Sequence, residues 1–212
     1  MSGFAQKSKI APDAGKIALQ YLQSQRTAWH LTDQDVHQAA VQYQYKTAHN
    51  GVSHVYLIQQ NFGVELYNGI VNINVLPSGE VLSAGNRFMP DLMGSANTTT
   101  PVLTAEEAIR RAAAQIHLDI PHGLVMKGQI SDKEFVFEPS GISFDSMRVK
   151  LRYQKMGEKV ARLAWDLDIN AVNGTDWWSF RVDAVTGVIL NRTSWTTHEV
   201  RSTRYEVLSP KS

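Results

Sequence analysis

The sequence predicts an α+β fold of two consecutive modules, each a helix packed on an antiparallel β-sheet. Two observations lead to this prediction. Apolar spacing changes from the helical period of about 3.6 residues to the strand period of about two in both halves. Each half also contains a Ser-Gly or Thr-Gly turn between apolar strands. The length of 212 residues, 43% of them hydrophobic, is enough for one large core or two small ones.

The first helix is predicted from Pro12 to about Gln25. Ile17, Tyr21 and Leu22 share one of its faces, which predicts the buried side. Pro12 falls near the first turn, where its missing N–H is not needed.

Strands are predicted from position 36 onward, where apolar residues recur at every second position. The segments 36–48 and 52–60 flank a turn that contains Asn50-Gly51. A second pair of strands lies within 65–88 and is joined by Pro77-Ser78-Gly79. The first half is therefore a helix followed by a sheet.

The stretch 89–101 has no clear period and is rich in Pro, Gly, Ser, Asn and Thr, which predicts a domain boundary. The predicted organisation is a first module over residues 1–92, a linker over 93–100, a second module over 101–197 and a junction over 198–212.

The second helix begins with a predicted capping box, in which Thr104 and Glu107 satisfy each other's backbone N–H groups. Its buried stripe is predicted to contain Ala108, Ile109, Ala112 and Ile116. Strands follow from about Glu134, and the clearest are the segments 147–155, 160–172, 176–184 and 187–195. Because the turn 75–83 resembles the turn 183–191, a degenerate duplication with an insertion near 122–141 is one hypothesis.

Composition excludes several classes of function. The formal charge of +1 gives no overall field for nucleic acid or an anionic membrane, and no apolar run approaches the roughly 20 residues of a membrane span. Cysteine is absent, which removes thiol nucleophiles, disulfides and cysteine metal sites. The zinc-peptidase motif H-E-x-x-H, the G-x-S-x-G elbow and the phosphate-binding glycine loops are also missing.

Three groups of residues could carry chemistry, and each has a simpler interpretation. His49 and His54 flank a turn and could share a metal, but no third ligand is evident. Asp166 and Asp168 lie on one side of a strand, where solvated alternation explains them without catalysis. Trp177 and Trp178, near Phe180, could form a stacking platform for sugars or bases, but adjacent strand residues face opposite ways, so only one of the two tryptophans can share a side with Phe180.

A family resemblance is visible in residues 54–88. Their centre resembles the fungalysin/thermolysin propeptide module found ahead of secreted zinc metallopeptidases. The matching residues are Gln60, Gly63, Val64, Leu66, Tyr67, Asn68 and Gly69, followed by the Ser78-Gly79 turn.

The second half resembles the PepSY module that follows in fungalysin-type precursors. The similarity covers the helix segment 101–115 and the strand segments 163–170 and 178–191, which include Asp183 and Gly187. The two resemblances together imply cystatin-like and PepSY-like modules.

The resemblance implies a non-catalytic pro-region that inhibits a secreted zinc metallopeptidase and acts as its intramolecular chaperone. The partner is then the peptidase domain, in cis or in trans, and zinc belongs to that partner, with no cofactor in this chain. The segment that resembles the propeptide–peptidase junction is expected to block the cleft; its residues are Trp195, Thr196, Thr197, His198, Glu199, Val200 and Arg201. The resemblance also implies secretion, although the first 16 residues lack the apolar core of a signal peptide.

Two alternatives belong to other classes. The chain could be a stand-alone secreted module that binds a peptide or protein through a sheet edge. It could also be an enzyme that uses Asp166 and Asp168.

Overall fold

The computed structural model describes residues 13–174 and 176–196 and confirms the α+β class. The helices within these residues are α1 (Ala14–Gln25), α2 (Asp33–His37), α3 (Leu92–Ser95) and α4 (Ala105–Gln115). The strands of the first half are β1 (Ala40–Lys46), β2 (Ser53–Asn61), β3 (Val64–Val75) and β4 (Val81–Asn86). Those of the second half are β5 (Met126–Ser131), β6 (Glu134–Phe137), β7 (Met147–Gly157), β8 (Val160–Asn170), β9 (Trp177–Asp183) and β10 (Ile189–Ser194).

The described strands join into one mixed sheet with the order β1-β2-β3-β7-β8-β9-β10. β4 pairs with β3, and the β5–β6 hairpin is attached through β6 to β7. Every pairing is antiparallel except that of β3 with β7, where Glu65 lies beside Arg152 and Leu66 beside Tyr153. The sequence predicts an antiparallel sheet in each half. The pairing of β3 with β7 that joins them was not predicted, because strand periodicity carries no information about which distant strand will pair.

Helix α1 forms where the period predicted it. The carboxylate of Asp13 caps its first turn by accepting from the N–H groups of Gly15 and Lys16 at 3.1 and 3.3 Å. Ala18 and Leu22 are fully buried against the first sheet half, and Ile17 and Tyr21 pack at its edge.

The predicted strand start at position 36 is wrong. Residues Asp33–His37 form the short helix α2, and β1 begins only at Ala40. The reason is a capping box: Asp35 N–H donates to Thr32 Oγ1 at 3.1 Å, while the Asp35 carboxylate accepts from Thr32 N–H at 2.9 Å.

Asp35 also fastens α2 to its surroundings. Its carboxylate accepts from Gln59 Nε2 at 2.9 Å and from the N–H groups of Asp91 and Leu92 at 2.8 and 3.0 Å. The Gln59 amide in turn bonds both backbone groups of Met89 at 2.6 and 2.7 Å. This buried polar cluster holds in place the segment of chain that follows the first half.

The capping box of α4 and its buried stripe are confirmed. Thr104 and Glu107 exchange the expected hydrogen bonds. The four stripe residues, Ala108, Ile109, Ala112 and Ile116, are all buried.

The core under α4 also takes residues from the first half. Val64 and Leu66 of β3, with Met89 and Leu92, are buried among the residues of β7, β8 and β9. A separate core lies under α1. The segment predicted as a linker contacts the second half as well, because Asn97 Oδ1 accepts from Leu163 N–H at 2.8 Å. The exact module boundaries stay a prediction.

The predicted insertion contains a strand that the sequence analysis missed. β5 pairs with β6 from Met126 to Ser131, and nearly all of its residues are exposed. With little burial on either side, it lacks the apolar alternation by which strands are predicted.

The two matched turns both contain a glycine in the left-handed region. Gly79 has φ 93° and Gly187 has φ 76°. An added Cβ at Gly187 would lie 3.1 Å from both Arg111 Nε and Leu103 Cδ2. Backbone conformation and crowding therefore both favour glycine at position 187.

Valine at position 79 or 187 is expected to lower the free energy of unfolding by about 1–3 kcal/mol, because a Cβ is strained at positive φ. Urea denaturation measures the loss. Gly85→Val is the control, since no heavy atom lies within 4 Å of a Cβ at Gly85. If the variants at 79 and 187 are as stable as the unmodified chain, these turns are not conformationally constrained.

The turn after β9 is also organised by a buried carboxylate. Asp183 accepts from the N–H groups of Val185 and Thr186 at 2.9 and 2.8 Å, and from Arg162 at 2.8 and 2.7 Å. Burial alone would raise the pKa of Asp183, but these donors together hold the pKa below its ordinary value.

Asp183→Asn is expected to lower the free energy of unfolding at pH 7 by about 1.5–3 kcal/mol, the range for hydrogen bonds to a charged group. Because the folded pKa lies below the unfolded one, the stabilisation is complete above the unfolded value near 3.9 and is lost as the pH falls through the folded pKa. Urea denaturation from pH 7 to pH 3 should show the two chains converging at the acid end. A pH-independent difference would show that the charge of Asp183 does not hold the turn.

Candidate functional site

Both long helices lie on the same side of the sheet. On β3, Leu66, Gly69, Val71 and Ile73 are buried on this side. Around Asn68, which has φ 57°, β3 advances five residues from Ile70 to Glu65 while β2 advances two from Ile58 to Gln60. This odd register shift keeps Leu66 and Val71 on one side despite their odd separation. No described helix packs on the opposite side, which we call the helix-free face.

The helix-free face carries an alternating chain of charges in the order Arg148, Glu134, Lys150, Glu65, Arg152, Asp166, Arg181. Glu65 is the central member and lies on β3, whereas its partners lie on β7. Its carboxylate is 2.6 Å from Lys150 Nζ and 3.2 Å from Arg152 Nη2. These ion pairs therefore cross the junction between the two halves.

Asp166 occupies a half-buried position in this chain. Its carboxylate is 2.9 Å from Arg152 Nη1 and 3.7 Å from Arg181 Nη1. Burial raises the pKa of Asp166, and the two guanidinium groups oppose that rise. The interpretation of Asp166 as a solvated residue is wrong, because the neighbouring strands supply cations on both sides of it. Asp168 is exposed, as predicted.

Arg181 ends the chain of charges and is almost fully buried, with 1% of the residue exposed. Its guanidinium donates to Ser179 Oγ at 2.7 Å, to Thr193 Oγ1 at 3.3 Å and to Asn191 Oδ1. The carbon Cζ lies 4.4 Å from the centre of the Tyr67 ring, a cation–π contact. Nε has no hydrogen-bond partner within the described residues.

A concavity of about 710 Å³ opens beside Arg181. Tyr67 and Asn68 of the propeptide-like motif line it together with Trp195, and so do the cationic residues Arg87 and Lys155. No aspartate or glutamate is among its lining residues. A cavity with this lining favours a negatively charged group.

A second concavity, of about 480 Å³, adjoins the first one and shares Asn86 and Arg87 with it. Tyr43 and Tyr56 line it, and their rings stack with centres 4.3 Å apart. Tyr45 and His54 continue this aromatic row, with ring centres 4.7 Å apart. Aromatic side chains of this kind are enriched in protein interfaces.

The structure places two of the predicted cleft-blocking residues. Trp195 follows β10, is 57% exposed, and donates its backbone N–H to Trp177 O at 2.8 Å. Thr196 Oγ1 accepts from Trp177 N–H at 3.0 Å. The other predicted residues, Thr197 to Arg201, lie outside the described residues.

The residues of the propeptide-like motif differ in burial and in the contacts that they make. Gly63 follows Phe62 in the two-residue β2–β3 turn, with φ 74° and 50°, as in a type I′ hairpin. Val64 is buried in the core under α4, and Tyr67 contacts Arg181. Gln60 is only half-buried, and the neighbouring Gln59 makes the buried contacts.

Of the two histidines that flank the β1–β2 turn, His54 is hydrogen-bonded through both of its ring nitrogens. His54 contacts Thr47 Oγ1 at 2.8 Å and Asn74 Oδ1 at 2.6 Å. Across residues 13–174 and 176–196, no group of three or more His, Cys, Asp or Glu is arranged to hold a metal ion. No helix in the same part of the chain has the length and apolar character of a membrane span.

Of the two adjacent tryptophans, Trp178 shares a side with Phe180, at a ring distance of 6.4 Å, and packs against the core. Trp177 points to the other side and is half-exposed. The prediction that the two rings face opposite ways is confirmed.

Sequence reasoning missed Arg181 and Glu65. Each alternates with apolar residues along its strand, which is also the pattern of a solvent-facing residue. The only signal in the sequence was the row of three cations at alternate positions of β7, Arg148, Lys150 and Arg152, because a row of like charges on one face requires counter-ions.

Comparisons with known proteins agree with the resemblance in the first half. Residues 39–88 match the family model of the Fungalysin/Thermolysin Propeptide Motif. The chain is 28% identical over 142 residues to Extracellular metalloproteinase mep of Aspergillus niger, which covers 66% of this chain and 22% of that protein. It is 28% identical over 141 residues to Extracellular metalloproteinase 2 of Phaeosphaeria nodorum, with 65% and 22% covered.

The Bacillus megaterium YpeB C-terminal domain aligns with 91% of this chain and 70% of its own, at 12% identity and a TM-score of 0.37. That similarity is too low to establish a shared fold. The chain spans about a fifth of the length of the curated relatives that it matches. It therefore contains a match to a propeptide motif and is similar to part of the extracellular metalloproteinases.

Proposed function

We propose that this chain is the propeptide region of a secreted fungalysin-like zinc metallopeptidase, which it inhibits and helps to fold. The observation that carries the proposal is the propeptide motif at residues 39–88, within a chain similar to extracellular metalloproteinases. The second half, residues 101–197, is proposed to be the PepSY-like module that follows. The resemblance of its helix and last strands supports this part.

The side chains of the described residues favour a binding role over catalysis. Asp166, one of the two acidic candidates, is held between Arg152 and Arg181 in ion pairs. A carboxylate fixed in this way is poorly placed to exchange protons with a substrate. The motif H-E-x-x-H does not occur in the 212 residues.

Inhibition is proposed to come from residues Trp195 to Arg201. An extended segment binds a peptidase cleft through backbone hydrogen bonds, as a substrate does, and its side chains add selectivity. Trp195 and His198 are the two aromatic side chains available for this purpose, and a histidine could also approach the zinc of the partner.

Assistance in folding follows from mass action. A partner that binds only the native-like peptidase stabilises it by about 4 kcal/mol when the effective concentration exceeds Kd a thousandfold. Covalent linkage supplies such a concentration, and cleavage of the linkage removes it.

The test is a titration of the mature Aspergillus niger metalloproteinase, and of the cognate peptidase once it is known, with the 212-residue chain. Peptide hydrolysis should fall in a dose-dependent way, whereas trypsin should keep its activity. A version that ends at Thr196 should inhibit at least about tenfold more weakly, equivalent to about 1.4 kcal/mol of binding. Ending at Thr196 keeps all of β10, because that strand spans Ile189–Ser194.

His198→Ala separates the two ways in which the tail could act. A loss as large as that of the truncation would indicate zinc coordination, and a small loss would indicate binding through the backbone. Full inhibition by the truncated version would assign the blocking to the folded part. If no peptidase of this type binds the chain, the stand-alone binding module becomes the better account.

A further inference from the structure

The concavity beside Arg181 differs from an ordinary polar surface in the balance of its charges. Arg87, Lys155 and Arg181 line it, and its lining contains no carboxylate. The chain of ion pairs behind it has four cations for three carboxylates, with a cation at each end. Arg181 shares the carboxylate of Asp166 with Arg152, whereas Arg87 and Lys155 have no ion-pair partner among the described residues, so the site carries a net positive charge.

Arg181 is a fixed part of this site. Hydrogen bonds to Ser179, Thr193 and Asn191 and the Tyr67 ring hold the guanidinium in one orientation. A buried and pre-oriented cation loses little side-chain entropy when an anion arrives. Gln154 also lines the concavity, and its Oε1 is buried without a hydrogen-bond partner. Buried polar atoms without partners are rare in folded proteins, and of the two at this site the Nε–H of Arg181, a donor, is the one that a carboxylate can satisfy.

The surface continues beyond the Arg181 concavity in two directions. One leads through Arg87 to the second concavity and its aromatic row, where Tyr43 and Tyr45 are about half exposed. The other leads to Trp195, which lines the first concavity at the end of β10. An elongated surface with a cationic centre and aromatic flanks fits a protein partner better than a small molecule.

We infer that the helix-free face is the docking surface for the partner peptidase and that the Arg181 concavity receives a carboxylate from an acidic loop of that peptidase. The inference rests on the proposed function, which supplies the partner. Charge complementarity selects an acidic loop. Position supports the same partner, because the segment proposed to enter the cleft starts with Trp195 at the rim of the concavity.

The experiment compares three single charge reversals: Arg87→Glu, Lys155→Glu and, as the matched control, Lys16→Glu. Arg87 and Lys155 are exposed, so neither change removes a buried contact. Lys16 is an exposed residue of α1, on the helix side of the sheet. The inhibition constant for the peptidase is measured for each variant, and melting curves check that each one is folded.

Arg87→Glu and Lys155→Glu should each weaken inhibition at least tenfold, and Lys16→Glu should change it less than twofold. Raising NaCl from 50 to 500 mM should weaken inhibition by the unmodified chain more than it weakens inhibition by the two concavity variants. Equal inhibition by all four proteins would overturn the docking surface and leave the proposed function standing. A chain that binds no peptidase would overturn both. A dimer in sedimentation that Arg87→Glu dissociates would make a second copy the occupant and overturn the inference as well.

Discussion

The contact between Glu65 of β3 and the cations of β7 is the constraint on which the rest of the structure depends. Among the described strands, the backbone pairing between the two halves is a two-residue parallel register, Glu65 with Arg152 and Leu66 with Tyr153. Leu66 packs into the core under α4, while Glu65 pairs with Lys150 and Arg152 on the other side. Replacing a half-buried ion pair with apolar residues is often neutral, but leaving one member unpaired costs about 3–5 kcal/mol. We therefore expect Glu65 to fix the register of the two halves more than to add net stability.

That register makes the helix-free face a continuous surface. If β3 and β7 were not paired, the aromatic row of the first half and the Arg181 concavity of the second would belong to separate bodies. With the pairing, Arg87 from the end of β4 and Lys155 from β7 line one concavity. Such a surface suits the proposed propeptide role, because binding to a folded enzyme is stronger when the contacts are already held in place.

Local structure could be predicted wherever the signal lies within a few residues. The capping box of Thr104, the burial stripe of α4 and the glycine turns at positions 79 and 187 depend only on nearby sequence. Helix α2 was missed because its capping box, Thr32 with Asp35, precedes a stretch with strand periodicity. The pairing of β3 with β7 and the burial of Arg181 could not be predicted, because both depend on contacts between strands that are distant in the sequence. The same limit applies to the candidate site, whose lining comes from β3, β4, β7, β9 and β10 together with residues next to β4 and β10.

The most direct test of this account is whether the two halves unfold as one unit. Trp29 packs in the first core, and the other tryptophans, at 165, 177, 178 and 195, lie in the second half. In a Trp29→Phe chain, fluorescence therefore reports on the second half, whereas far-UV circular dichroism reports on both. The account predicts that the urea transitions of the two signals coincide. It also predicts that Glu65→Gln shifts both transitions together to a lower urea concentration. Two separated transitions, or a Glu65→Gln effect on one signal alone, would contradict it.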